Sequence, residues 1–216
     1  VIIGAGLSGL AAAKKFINTK YKVLLIEQDS YLGGVLKNSN KVKTINGLTP
    51  QEWISETEEL ILNSKNITTL KNTLVTTYNF TNHLIALEDK FAGKKIDLNK
   101  SELTLHKIRT SNTIIANGHI ERFISFRNND LPGVMLASSF EKYIHRYGVV
   151  PEKEPVIFTN NSSSLSLLKT LISLGCKPKA YVDTRKKDNI ETEIKKILKE
   201  KDIVFFSDAE IEGCDG

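Results

Sequence analysis

An α/β fold built on parallel strands is what the sequence predicts, and three observations carry the prediction. A short apolar strand, residues 1–3, runs into Gly4-Ala5-Gly6-Leu7-Ser8-Gly9 and then a helix-spaced apolar stripe. A second apolar strand, residues 22–27 (KVLLIE), ends in an acid about 20 residues past the glycines. The same strand–helix–strand order returns from Pro155. The expected architecture is a Rossmann-like domain over residues 1–150 with an antiparallel β-meander inserted and a linker from about 119. A second, incomplete Rossmann-like domain over 151–216 is expected to follow.

The elements read in order. Leu7, Leu10, Ala13 and Ile17 share one helical face over residues 7–18. Thr49-Pro50-Gln51-Glu52 starts a helix, with Thr to cap, Pro at the first helical position and Glu to complete a capping box. Trp53, Ile54, Leu60 and Ile61 form its buried stripe. From Ile67 to His106, β-runs near 67–70, 73–79, 83–87 and 102–108 alternate with turns at Asn82 and Ala92-Gly93, the pattern of an antiparallel meander. Thr113–Ala116 is a further buried strand closed by Asn117-Gly118. Residues 138–147 are helical, and Gly148 with Pro151 marks the domain boundary. The second domain reads as strand 155–159, helix 163–174, strand 179–183 ending at Asp183, helix 190–200 and strand 203–206.

The Gly-rich turn carries the chemistry. In G-x-G-x-x-G the first glycine permits the tight turn, the second lets the backbone approach a pyrophosphate, and the third lets helix pack on strand. Gly4, Gly6 and Gly9 stand in those places. The helix start offers free N–H groups and the positive end of a dipole to phosphates. Glu27 suits an adenosine ribose and disfavours a 2′-phosphate, so an FAD/NAD(P)-binding domain is expected here, with NADP disfavoured. Gly33-Gly34 lets the chain pass close to a ribose or pyrophosphate, and Asn117-Gly118 closes a strand where the ligand's other side could lie. The second domain's turn, Thr159-Asn160-Asn161-Ser162-Ser163-Ser164, has no glycine. It is expected to keep the architecture without holding a dinucleotide in the usual way, its polar residues capping the helix.

Composition sets the bounds. With 216 residues, 40% hydrophobic and 25% charged, the chain suits one large or two small soluble domains. Cys176 and Cys214 form no pair at metal or redox spacing, so no metal site is expected and a reducing, cytoplasmic setting fits. No apolar run nears the roughly 20 residues that span a bilayer, and no signal peptide is visible. The chain begins inside a strand at Val1 and stops at Gly216 without a closing element, which reads as a fragment of a longer subunit. The net charge of +5 comes from lysines scattered among acids without interleaved aromatics, a solvated surface rather than a nucleic-acid face. His83, His106, His119 and His145 form no acid–base set, and no catalytic residue is assigned.

Longer motifs carry a resemblance. Gly118-His119-Ile120-Glu121-Arg122, then Asn128-Asn129-Asp130-Leu131-Pro132-Gly133-Val134-Met135-Leu136-Ala137, then YIHRYGV (143–149) and Val156–Asn161 follow the fingerprint in turn. Together they resemble the alpha subunit of heterotetrameric sarcosine oxidase, within the two-dinucleotide-domain flavoproteins, and the resemblance covers essentially the whole chain. Leu131, Asn117 and Phe123 depart from the family's usual Arg, Thr and Pro. The resemblance implies NAD+ on Gly4, Gly6, Gly9 and Glu27, with Gly34 nearby and Val75 approaching the adenine from the meander. The full candidate cofactor set adds Ala5, Leu7, Ser8, Gln28, Gly33, Asn117 and Gly118. It further implies a partner subunit whose FAD oxidises sarcosine, FMN at a subunit interface, peroxide from oxygen, and a distant C-terminal region passing one-carbon units to tetrahydrofolate. Two other readings stay open: the FAD-bearing subunit of an opine- or amino-acid-oxidising dehydrogenase, and a non-catalytic dinucleotide-binding scaffold.

Overall fold

The computed structural model describes residues 1–37, 42–79, 81–90, 103–150 and 154–215. These fall into two compact units, one comprising Val1–Lys37 with Val42–His119 and the other Ile120–Gly216. The expected turn at Ala92-Gly93 and the boundary residue Pro151 lie outside the described residues.

In the first unit, β1 (Ile2–Ile3), α1 (Leu7–Phe16), β2 (Val23–Ile26), α2 (Pro50–Leu62) and β3 (Ile67–Leu70) wind a parallel sheet. Its strand order is β3-β2-β1-β7, the last being Ile114–Ile115. The capping box at Thr49 forms as its residues require: the Thr49 hydroxyl accepts from the Glu52 N–H, and the Glu52 carboxylate accepts from the Thr49 N–H. Those backbone and side-chain hydrogen bonds from Thr49 hold the Glu52 carboxyl below its ordinary range. Ile2, Leu10, Leu25, Trp53, Ile54 and Ile61 form the centre of one buried cluster.

The meander consists of β4 (Thr73–Asn79), β5 (His83–Asp89) and β6 (Leu103–Arg109), antiparallel throughout. The 67–70 run, read as its first strand, does not belong to it. As β3 it pairs parallel with β2, Val23 opposite Ile67 and Ile26 opposite Leu70. The reason is topological: a strand that returns through a helix comes back parallel, and α2 separates the two. The left-handed turn at Asn72 (φ 52°) then releases the chain into the meander. One face of the meander buries Thr73, Leu84 and Ala86.

The second unit repeats the plan. It contains α3 (Ala137–Tyr147), β8 (Val156–Thr159), α4 (Ser164–Ser173), β9 (Ala180–Asp183), α5 (Thr192–Glu200) and β10 (Val204–Ser207). The three strands are parallel in the order β10-β9-β8, matching β3-β2-β1. Helix α3, which the sequence places before a boundary near 150, joins this unit because Ile144 is buried with Leu168, Leu171 and Tyr181. The helix starts without a side-chain cap at Leu136, and the Glu121 carboxylate accepts from the Ser138 N–H at 2.7 Å instead.

Tyr181 anchors this second core. It is fully buried, and its hydroxyl shares a 2.6 Å hydrogen bond with Ser164 Oγ. Burial pushes its phenol up to about 12 from an ordinary value of 10.0. Because the folded pKa is raised, the stabilisation is complete below pH 10 and lost as pH climbs through about 12. In an alkaline ultraviolet titration a late phenol step at about pH 12 is expected. That late step is expected to vanish in Tyr181→Phe.

Candidate functional site

Everything at the site is set by how closely four backbone segments meet at the top of β1. Gly4, at φ +93°, donates its N–H to the Ile26 carbonyl at 2.8 Å, tying the turn to β2. A Cβ on Gly4 would strike the Ala116 carbonyl oxygen and lie 3.1 Å from Asn117 Cα. The loop after β7 is therefore pressed against the turn, and Asn117-Gly118 leaves it directly, exposed, with Gly118 at φ +71°.

Gly9 serves packing. Its Cβ would collide with the Gly4 carbonyl oxygen, with the Gly4 carbonyl carbon 2.9 Å away. Gly6 is different: a Cβ there would meet nothing within 4 Å. The second glycine thus faces open space at the start of α1, and no side chain caps that helix. The amides of its first turn, at Leu7, Ser8 and Gly9, have no intrahelical acceptor. Leu7 and Ser8 are exposed around this end. A pyrophosphate fits the arrangement, because its oxygens need N–H donors and close backbone approach where a Cβ would intrude.

The Gly33-Gly34 loop closes the other side. Gly33 donates its N–H to the Ala5 carbonyl at 2.8 Å, and a Cβ on Gly34 would lie 3.1 Å from Gly6 Cα. Gly33 has a packing duty as well, since its Cβ would lie 2.6 Å from Ile54 Cδ1 on α2.

Glu27 does more than its sequence position suggests. It is only 6% exposed. Its Oε2 accepts from the buried Ala5 N–H at 2.6 Å and its Oε1 from the Asp29 N–H at 3.0 Å. A carboxylate has about four lone-pair sites, so two backbone donors leave acceptor capacity for ribose hydroxyls. The acid is both a brace for the turn and a candidate ribose acceptor. Gln28 is exposed just beyond it.

Val75 stands in β4, partly buried and paired with Ala86. By strand alternation it shares a face with Thr73, whose N–H donates to the Glu27 carbonyl at 2.9 Å. The structure thus joins Gly4, Ala5, Gly6, Gly9, Glu27, Gly33, Gly34 and Asn117 through contacts around one turn. Val75 is linked to that turn through Thr73 and Glu27. Sequence reasoning missed Ala116 and Asp29, one buttressing Gly4 and the other donating to Glu27. Only the smallness of Ala116 before Asn117-Gly118 signalled the first, and nothing signalled the second.

In the second unit the expected cap differs. Ser163 at the start of α4 makes no side-chain cap. Asn161, two residues earlier, accepts from the Ser163 N–H on Oδ1 at 2.9 Å, while Ser164 Oγ turns inward to Tyr181. Among the described residues no group of three or more His, Cys, Asp or Glu could hold a metal ion. No described helix is long and apolar enough to cross a membrane.

Comparison with known proteins agrees with this geometry. Residues 2–49 match the NAD(P)-binding Rossmann-like domain. The chain is 32% identical over 188 residues to the sarcosine oxidase subunit alpha of Rhizobium meliloti (strain 1021), covering 86% of this chain and 19% of that protein. It is 29% identical over 181 residues to the subunit alpha of Corynebacterium sp. (strain U-96), covering 81% of this chain and 18% of that one. The chain therefore spans about a fifth of the length of these curated relatives. Among solved structures, a NAD-dependent persulfide reductase from A. fulgidus shares the fold at TM-score 0.68 and 14% identity, over 100% of this chain and 40% of that one. L-proline dehydrogenase from P. horikoshii does so at TM-score 0.60 and 20% identity, over 84% and 34%. The chain has a Rossmann-like α/β fold of the NAD(P)-binding type and is, across most of its length, a relative of sarcosine oxidase alpha subunits.

Proposed function

We propose that the chain is the dinucleotide-holding part of an oxidoreductase subunit of the sarcosine oxidase type, with NAD+ seated on the Gly4–Gly9 turn. The observation that carries this reading is the open space over Gly6 at an uncapped helix start, with Glu27 braced beside it. The amides at Leu7, Ser8 and Gly9 receive the pyrophosphate, and Gly34 keeps its flank free of side-chain atoms. Glu27 accepts the ribose hydroxyls with the lone pairs that Ala5 and Asp29 leave over. Asn117, Gly118, Gln28 and Val75 border the ligand. A nicotinamide or flavin, when bound, supplies hydride-accepting chemistry.

The CH–NH oxidation of an amine such as sarcosine, with oxygen as acceptor, belongs in this proposal to a flavin-bearing partner subunit. FMN lies at a subunit interface, and one-carbon transfer to tetrahydrofolate to a more distant part of the subunit. The similarity to sarcosine oxidase alpha subunits supports this division of labour. FAD at the same turn is the second reading, because both cofactors present the adenosine diphosphate half that the turn grips. Release and identification of nucleotide from the native full-length subunit, separated from its partners, tests the choice. NAD+ near one per chain without flavin is the expected result. Stoichiometric FAD would move the redox centre here, and a folded chain with neither would leave a scaffold.

A further inference from the structure

The second unit holds its strand-end acid as the first unit does, then neutralises it. In the first unit Glu27 Oε1 accepts from the N–H two residues on, at Asp29, at 3.0 Å. In the second, Asp183 Oδ1 accepts from the N–H two residues on, at Arg185, at 2.9 Å. The two acids occupy matching places in matching sheets, since β9 stands to β8 as β2 stands to β1. What differs is the side chain two residues on, acidic in one unit and a guanidinium in the other.

That guanidinium folds back over the acid. Arg185 Nε donates to Asp183 Oδ1 at 3.0 Å and Nη2 to Oδ2 at 2.8 Å, a two-pronged fork on a carboxylate with no exposed surface. Nη1 donates to Ser162 Oγ at 3.0 Å and to the Asn189 carbonyl at 3.3 Å. Nη2 also reaches Glu191 Oε2 at 3.5 Å, and the Ser162 hydroxyl donates to the Glu191 carboxylate. Ser162 lies in the turn after β8, and Glu191 immediately precedes α5. One side chain thus ties turn, strand end and helix start together. The hydrogen bonds to Asp183 hold the Arg185 pKa above its ordinary value.

We propose that Arg185 is a resident occupant that keeps the second unit shut against an adenosine ribose and pyrophosphate. Three N–H donors take three of the roughly four acceptor sites of Asp183, and the carboxylate under the guanidinium has no exposed surface to offer ribose hydroxyls. The Ser162 hydroxyl is fixed by two partners, and Asn161 before it puts a side chain in the register place of Gly6, where a dinucleotide needs bare backbone. The unit keeps a nucleotide-binding plan and fills the place of the ligand with its own cation.

Calorimetric titration of the full-length subunit with ADP-ribose tests this, the nucleotide of the first unit being retained. Gain is scored against wild type, so the outcome is independent of which nucleotide the first unit holds. Wild type is expected to take up no ADP-ribose beyond that nucleotide. Asn161→Gly/Arg185→Ser, which clears both turn and strand end, is expected to bind one further equivalent at least tenfold more tightly than wild type. Adding Asp183→Asn is expected to weaken the gained site again. Should the double variant lose its circular-dichroism signal, Asn161→Gly/Arg185→Lys decides, because it keeps the charge over Asp183 but lacks the fork. Binding by wild type equal to that of the variants overturns the proposal, and so does a folded variant that gains nothing.

Discussion

Replacing Gly9 by Val is expected to destabilise the first unit by about 3 kcal/mol, the upper end of overpacking costs, lowering Tm by about 6–12 °C. The side chain would drive its Cβ into the Gly4 carbonyl oxygen, with the Ala116 Cβ 3.5 Å away on the same side. Neither obstacle is a flexible side-chain tip that can rotate aside. Helix α1 must back off β1, and the buried contacts of Leu10 and Ala13 go with it. Gly6→Ala is the control. With nothing within 4 Å of its Cβ and φ at −71°, an alanine fits the unliganded fold. Its stability is expected to stay within about 0.5 kcal/mol of wild type, while nucleotide content of the purified subunit falls sharply. Thermal unfolding and nucleotide release on the two variants separate the packing glycine from the ligand glycine. A Gly6→Ala subunit that keeps its full nucleotide would refute the proposed seat of the pyrophosphate.

Glu27→Ala is expected to cost about 2–3 kcal/mol, because it removes a charged acceptor and strands a buried donor. The donor is the Ala5 N–H, wholly buried and 2.6 Å from Glu27 Oε2. Losing it loosens the turn that Gly33 also grips through the Ala5 carbonyl. Nucleotide content is expected to fall with it. Glu27→Gln restores one acceptor but sets an NH2 group against the second backbone donor, so an intermediate loss is expected. Denaturant unfolding of Glu27→Ala, Glu27→Gln and wild type checks the order. Equal stability of all three would show that the acid braces nothing.

The sequence carried much of this site in plain view. The Gly4–Gly9 spacing, the acid closing β2 and the Gly33-Gly34 pair are local features whose geometry follows from missing side chains and strand period. The motif also carried the contrast between Gly6, with open space over it, and Gly9, packed on Gly4. It did not carry the packing duty of Gly33, which depends on Ile54 coming close through the fold. Glu27 reads as a ribose acceptor in sequence and becomes a structural brace once Ala5 folds beside it.

What the sequence determined by itself was the alternation of strands and helices, the repeated strand–helix–strand plan and the start of α2. Each rests on interactions within a few residues: apolar period, glycine freedom, and the Thr49–Glu52 box. Only the tertiary structure decided that β3 pairs with β2 rather than the meander, and that α3 buries Ile144 in the second core. It alone brought Arg185 back onto Asp183, Ser162 and Glu191. Those outcomes depend on which distant backbone edge or buried charge a segment meets. An apolar strand or a lone arginine carries the same local signal whichever partner it finds, so the choice is made by packing and charge neutralisation across the fold.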